Sequence, residues 1–148
     1  MDGVRYLGSG AVITLLRRIP TPNGDVYHGL KVNEDSFKGF GEAYFSVVLP
    51  GKTKGWKCHR EMTLNLIVPV GTIEFHLHSN NNGITESVQL GDSCYARLTV
   101  PPGIWMAFSG RGLGLNLLLN VANIPHDPEE AVIAPLEQFS LVPSNKEP

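Results

Sequence analysis

Apolar residues fall in short runs that glycine and proline separate, and the clearest runs alternate with a period of two. The run 62–70 has an aliphatic residue at every second position, and the run 72–78 alternates apolar with polar residues. This period is typical of β-strands. Gly71 separates the two runs, so we predict a tight turn and a hairpin there. The alternation leaves open which face of these strands is buried.

Similar short runs follow one another along the rest of the chain, with turn signals between them. We predict further strands at Ala11–Ile19, Val26–Val32, Glu42–Leu49, Ile84–Leu90, Ser93–Val100, Ile104–Phe108 and Leu113–Ala122. The polar stretch 52–61 is predicted to begin as a loop. Asp127 before Pro128 is typical of a helix N-cap and predicts one short helix. The pattern as a whole predicts an all-β sandwich or barrel with little helix.

Composition adds limits to this picture. The chain has 148 residues, 42% of them hydrophobic and 18% charged, which predicts one domain over 1–143 and a disordered tail at 144–148. A net charge of -2 gives no reason to expect nucleic acid or a membrane as partner. Cys58 and Cys94 form no C-x-x-C pair, and the N-terminus has no signal-peptide pattern. We therefore expect a cytoplasmic protein with two free thiols.

Four short motifs from residue 56 onward occur in the order found in cupins. They are Trp-Lys-Cys-His at 56–59, Val-Gly at 70–71, Gly-Asp at 91–92 and Pro-Pro-Gly-Ile-Trp at 101–105. The N-terminal third adds Asn-Gly-Asp at 23–25 and Gly-Phe-Gly-Glu-Ala-Tyr at 39–44. With these, most of the chain resembles the RmlC-like cupins, the dTDP-4-dehydrorhamnose 3,5-epimerase family. The resemblance implies an all-β double-stranded β-helix, or jelly roll.

The resemblance also implies a catalytic set, of which this chain has only part. The family uses a His as base, a nearby Lys, a Tyr as acid and an Asp that orients the His. His59 matches the base. The Lys position falls near Leu64, the strand 113–122 has no Tyr, and Asp127 is a distant substitute for the Asp.

We expect no metal and no other cofactor. The first cupin motif offers only His59 and Glu61, and Trp105 stands at the ligand position of the second. A stable metal site needs three or four ligands. His76 and His78 share one strand face with Glu74, a pattern that fits a solvated face or a polar dimer interface better than a metal site.

Several residues near His59 are candidates for binding a substrate. Lys57 and Arg60, in a cluster with Lys52 and Lys54, are suited to an anionic group, although an ordinary solvated loop has the same composition. Trp56 and Trp105 are suited to stacking on a sugar or a base, or to core packing. Asn65 would bind a ligand if its strand face lined the barrel.

The leading hypothesis is a metal-independent epimerase or isomerase of a nucleotide-linked 4-keto-6-deoxysugar, of dTDP-sugar type, in polysaccharide or deoxysugar biosynthesis. His59 would remove the proton next to the keto group. We expect it to face the lumen near Trp105. The alternative is a cupin that binds a sugar or small acid without turnover, which the missing Lys and Tyr favour. We also expect a homodimer in which the second subunit covers the apolar strand 11–19.

Overall fold

The computed structural model describes residues 3–143, so the predicted disordered tail at 144–148 lies outside the described residues. Thirteen strands and two short 3-10 turns, Pro128–Glu130 and Leu136–Gln138, make up the regular structure of that part of the chain. The strands are β1 (Val4–Tyr6), β2 (Val12–Leu15), β3 (Arg18–Ile19), β4 (Val26–Tyr27), β5 (Glu42–Val47), β6 (Thr53–His59), β7 (Leu64–Val70), β8 (Thr72–Ser79), β9 (Thr85–Gly91), β10 (Ala96–Val100), β11 (Ile104–Gly110), β12 (Leu117–Ala122) and β13 (Ala131–Ile133).

Two antiparallel sheets face each other across a single core. The six-stranded sheet has the order β1-β2-β10-β7-β12-β5, and the five-stranded sheet has the order β13-β6-β11-β8-β9. Strands β3 and β4 form a separate hairpin. This arrangement confirms the predicted all-β jelly-roll fold. Within residues 3–143, no helix is long and apolar enough to cross a bilayer.

The burial of the core side chains shows which face of strands β7 and β8 points inward. Leu64, Leu66 and Val68 of β7 are at most 4% exposed and pack against Phe75 and Leu77 of β8, which are fully buried. Full burial of such a side chain contributes roughly 1.5–3 kcal/mol. The opposite face of β7, which carries Asn65, therefore lies outside the barrel.

The predicted hairpin between β7 and β8 is wrong. Strand β7 pairs with β10 and β12, whereas β8 pairs with β9 and β11. Gly71 has a φ of 84°, and a Cβ at this position would collide with the backbone of Leu115. The glycine turn thus carries the chain from one sheet to the other. Turn chemistry alone does not distinguish such a crossover from a hairpin.

Four further predictions differ from the structure. The stretch 52–61 contains strand β6, which is held between β11 and β13 although most of its residues are polar. The predicted strand 11–19 is interrupted after Leu15, and the predicted strand 26–32 ends at Tyr27. The Asp127 cap is confirmed, since its Oδ1 accepts a hydrogen bond from the Glu129 N–H, but the helix is a single 3-10 turn.

Candidate active site

A cavity of about 260 Å³ opens between the two sheets along β5, β6 and β12. Its polar lining comes from Tyr44 and Ser46 on β5, Lys54, Lys57 and His59 on β6, and Asn120 on β12. Its apolar walls are formed by Leu64, Leu66, Ile104, Met106, Phe108 and Leu118. Apolar walls with a few convergent polar groups are typical of small-molecule sites.

A larger groove of about 780 Å³ lies on the outer face of the six-stranded sheet. It runs between the N-terminal strands and the loop 28–38, and an ion pair between the buried Arg97 and the partly exposed Glu34 fixes that loop to the sheet. We nevertheless place the candidate site in the smaller cavity. Among residues 3–143, the one hydrogen bond between a histidine and a carboxylate lies there.

His59 and Glu130 form that pair. His59 Nδ1 lies 2.6 Å from Glu130 Oε1, and the Glu130 side chain is only 4% exposed. The other carboxylate oxygen accepts hydrogen bonds from the backbone N–H groups of Glu61 and Met62. Burial raises the pKa of Glu130, but these hydrogen bonds, led by that from His59, outweigh burial and lower the pKa to about 2. Glu130 is therefore an anion at neutral pH.

The charge on Glu130 determines the tautomer of His59. An ionised carboxylate only accepts hydrogen bonds, so Nδ1 of His59 carries a proton. In the neutral ring, Nε2 then has the free lone pair, and Nε2 has no hydrogen bond within the described residues. His59 lines the cavity, so this arrangement suits a general base acting on a ligand bound there.

Tyr44 and Asn120 form a second polar pair in the cavity wall. They are directly opposite each other in the β5–β12 ladder, and Asn120 Nδ2 donates a hydrogen bond of 3.0 Å to the Tyr44 hydroxyl oxygen. Because this oxygen accepts, the phenol proton stays available for a ligand. A donor to the phenol oxygen also stabilises the phenolate left after proton transfer.

An irregularity in β6 brings two lysines to the same cavity. Opposite β11, Lys57 pairs with Met106 and Lys54 pairs with Phe108, so four residues of β6 match three of β11. This bulge turns both lysines inward, whereas residues three apart in a regular strand face opposite sides. Lys54 donates to Ser46 Oγ at 2.9 Å. Lys57 has no ion pair among the residues that the structure describes.

Comparison with solved structures identifies the family of this chain. A dTDP sugar isomerase from Desulfovibrio desulfuricans G20 is 38% identical and has a TM-score of 0.83, over 88% of this chain and 90% of that one. The chain belongs to the dTDP-sugar isomerase family. This confirms the resemblance stated above and the prediction of a nucleotide-sugar epimerase or isomerase. No protein-family model and no curated protein sequence matches.

Two more distant structures share the fold of this isomerase family. A dTDP-4-dehydrorhamnose 3,5-epimerase from Sulfolobus tokodaii is 16% identical with a TM-score of 0.80, over 93% of this chain and 84% of that one. A sugar 3,4-ketoisomerase from Thermoanaerobacterium thermosaccharolyticum, in complex with TDP, is 16% identical with a TM-score of 0.68, over 85% and 89%. At 16% sequence identity, these two similarities support a shared fold and nothing about activity.

Among the predicted site residues, the two tryptophans lie outside the cavity. Trp56 is fully buried on the outer face of the five-stranded sheet and donates from Nε1 to the Leu136 carbonyl. Trp105 lies on the same outer face, with its ring centre 5.6 Å from that of Phe139. The expectation that His59 lies beside Trp105 is wrong, because strand alternation turns Ile104 and Met106, not Trp105, into the lumen.

The remaining predicted residues divide between the cavity and its surroundings. His59 and Lys57 line the cavity, whereas Arg60 is exposed and makes a 3.4 Å contact with the Glu129 carbonyl. Asn65 faces away from the lumen, where it accepts from Thr99 Oγ1 and donates to a carbonyl of the loop 28–38. These bonds fix the loop to the sheet and leave Asn65 remote from the cavity.

The strand face that carries His76 and His78 is largely shielded from solvent. His76 is 1% exposed and is hydrogen-bonded through both ring nitrogens to Ser87 and Ser109. His78 stacks on Phe139 with ring centres 3.9 Å apart. Within residues 3–143, no three His, Cys, Asp or Glu side chains gather as metal ligands would.

Three residues of the candidate site are not identified by the sequence analysis: Tyr44, Asn120 and Glu130. Tyr44 belongs to a correctly predicted strand, and alternation with the exposed Phe45 could have marked its face, but nothing local places β5 beside β6. Glu130 takes the orienting role that was considered for Asp127. Asp127 instead caps the turn that carries Glu130.

Proposed function

We propose that the protein moves a proton at the carbon next to the keto group of a dTDP-linked 4-keto-6-deoxysugar, as an epimerase or isomerase. The observation that carries this proposal is the His59–Glu130 pair, whose free imidazole nitrogen belongs to a cavity lined by Tyr44 and Lys57. The 38% identity to a dTDP sugar isomerase supports the choice of substrate.

His59 begins the reaction as the base. Its Nε2 takes the proton from the carbon next to the carbonyl, and the electron pair of the broken C–H bond forms the C=C bond of an enolate. The carbonyl π electrons move onto the keto oxygen. His59 becomes an imidazolium, and the Glu130 carboxylate at 2.6 Å stabilises that positive charge.

Tyr44 and Lys57 act on the enolate. A developing negative charge is stabilised by donors and cations held in place around it, and the Tyr44 O–H and the Lys57 ammonium line the same cavity. Tyr44 then returns a proton as the acid. Protonation of the original carbon from the opposite face gives an epimer. Where that carbon carries a hydroxyl, protonation of the former carbonyl carbon, with transfer of the hydroxyl proton to the former keto oxygen, moves the keto group.

The cavity suits the sugar part of such a substrate. Its volume of about 260 Å³ lies below the roughly 300–1,000 Å³ of pockets for drug-sized ligands, so the nucleotide must extend beyond it. Arg60 follows His59 directly and is exposed at the end of β6. We assign Arg60 to the diphosphate, because a guanidinium binds phosphate oxygens in pairs.

We also propose a cytoplasmic homodimer. Strand β2 pairs on both sides, with β1 and β10, so the edge of the sheet is β1 and not the segment 11–19. Tyr6 of β1 is 77% exposed, and an uncovered edge strand tends to pair with another chain. Sedimentation as a monomer at all concentrations would exclude the dimer. Cys58 and Cys94 are both unpaired, which supports a reducing compartment.

The experiment is solvent exchange followed by NMR. The protein is incubated in D2O with dTDP-4-keto-6-deoxyglucose, and deuterium is measured at the carbons next to the keto group. We expect incorporation and a new sugar isomer. Binding of the sugar without deuterium incorporation would contradict catalysis and favour the alternative, a cupin that binds a sugar without turnover. Absence of binding in a thermal-shift assay would overturn the choice of ligand.

A further inference from the structure

Asn120 differs from the other buried asparagines of the described chain. Asn65 and Asn116 have both side-chain polar atoms hydrogen-bonded. Asn120 is only 2% exposed, yet its Oδ1 has no hydrogen-bond partner among the described residues. A buried acceptor without a partner costs roughly 1–3 kcal/mol. A side chain kept at such a cost points to a partner outside the described residues.

The position of Asn120 points to the ligand as that partner. The residue lines the cavity, is flanked by Leu118 on its own strand and pairs with Leu66 of β7, so neither of these neighbours offers a side-chain donor to Oδ1. Its Nδ2 is already engaged by the Tyr44 oxygen. The pair therefore presents one donor, the Tyr44 O–H, beside one acceptor, Asn120 Oδ1.

We propose that Asn120 recognises the hydroxyl group next to the keto carbon of the sugar. The keto oxygen accepts from Tyr44 and the neighbouring hydroxyl donates to Asn120 Oδ1. The substrate class is thus an α-hydroxyketone rather than any ketone of suitable size. This inference rests on the proposed function only in taking the ligand to be a keto sugar.

The chemistry of the intermediate agrees with this arrangement. Removal of the proton from a carbon that carries a hydroxyl gives an enediolate, with one anionic oxygen and one O–H group side by side. The anionic oxygen needs a donor and the O–H needs an acceptor. Tyr44 and Asn120 supply this combination from opposite positions of one antiparallel ladder.

The test measures binding without turnover. His59→Asn is used as the background, and calorimetry gives the Kd of dTDP-4-keto-6-deoxyglucose and of its 3-deoxy analogue. We expect the 3-deoxy sugar to bind about 10- to 100-fold more weakly, because it leaves Oδ1 without a partner. Adding Asn120→Leu should remove this preference. Adding Asn120→Asp, which keeps an acceptor at this position, should retain it.

Ser46→Ala is the matched control, because Ser46 lines the same cavity and bonds to Lys54 rather than to Asn120. It should leave the ratio of the two Kd values unchanged. Equal binding of both sugars overturns the role of Asn120 alone. Binding of neither sugar overturns the proposed function as well. If Asn120→Leu does not fold, the ratio of the two Kd values is compared between the His59→Asn background and the variant that adds Asn120→Asp. A preference for the 3-hydroxyl sugar in both supports the role of Asn120, and equal binding of the two sugars in the background overturns it.

Discussion

Two histidines on opposite faces of the five-stranded sheet differ in burial and in their hydrogen bonds. His76, on the outer face, is sealed from solvent and has both ring nitrogens bonded to serine hydroxyls. His59, on the inner face, has one nitrogen held by a carboxylate and the other without a partner in the described chain. The comparison shows that a histidine becomes a candidate base when only one nitrogen is engaged.

The largest effect should come from His59→Asn. We expect deuterium exchange at the sugar to fall about 10²–10⁴-fold with folding intact, the loss that removal of a general base causes. His76→Gln is the matched change, because His76 is the more buried of the two. It should lower stability and leave the exchange rate of the folded protein within a few-fold. Unchanged exchange in His59→Asn would eliminate it as the base.

Glu130→Gln should have the next largest effect. The amide can donate to Nδ1, which favours the tautomer with the lone pair on the wrong nitrogen, and the imidazolium loses its counter-charge. We expect exchange to fall on the order of 10²-fold. Glu129→Gln changes the same residue type one position earlier on an exposed side chain and should have no such effect. Equal kinetics in the two variants would contradict the pairing.

Tyr44→Phe removes the proposed acid from the cavity. We expect about a 10²-fold loss of product formation, since one donor to the developing anion disappears. Binding of the sugar nucleotide should change much less, because the ring remains. Tyr6→Phe, on the exposed strand β1, is the control. Normal product formation in Tyr44→Phe would show that another group returns the proton.

The two faces should also differ in how pH affects stability. The pKa of Glu130 is about 2 in the folded protein against 4.5 without structure, so its contribution, on the order of 3 kcal/mol, is complete above pH 4.5 and is lost between pH 4.5 and 2. Burial lowers the pKa of His76 from 6.5, so its contribution is lost as pH falls below 6.5. The measurement is denaturant unfolding at several pH values. The loss of stability between pH 4.5 and 2 should be absent in Glu130→Gln, and the loss below pH 6.5 should be absent in His76→Gln.

The smallest effect should come from Trp105→Phe. Its ring packs with Phe139 on the outer face, beyond the wall of the cavity. We expect exchange to stay within about twofold of the wild type and stability to fall by about 1 kcal/mol. A large loss of exchange with unchanged stability would show that the outer face takes part in binding.

The sequence predicted local structure better than the contacts between distant segments. Alternation located most strands, such as β5 and β9, and the motif ending at His59 identified the histidine that lines the cavity. The hairpin at Gly71 was wrong because pairing between strands depends on the whole topology. Strand β6 was missed because its polar residues line a cavity, where a hydrophobic pattern is absent.

The partners of His59 required information from far along the chain. Glu130 lies 71 residues away and reaches His59 only because β13 pairs with β6. Asn120 and Tyr44 are 76 residues apart and meet through the β5–β12 ladder. Each of these residues looks ordinary in its local sequence. Only the fold makes them neighbours.

The bulge in β6 means that spacing, as well as residue identity, determines the charge of the cavity. One extra residue between Lys54 and Lys57 turns both ammonium groups inward. A relative with a regular strand at this point would need lysines at alternate positions to present the same two charges. Deletion of Gly55 would remove the bulge and place the two lysines at alternate positions of a regular strand, so both charges would stay in the cavity. In alignments of such chains, a one-residue gap here is therefore compatible with the same pair of charges.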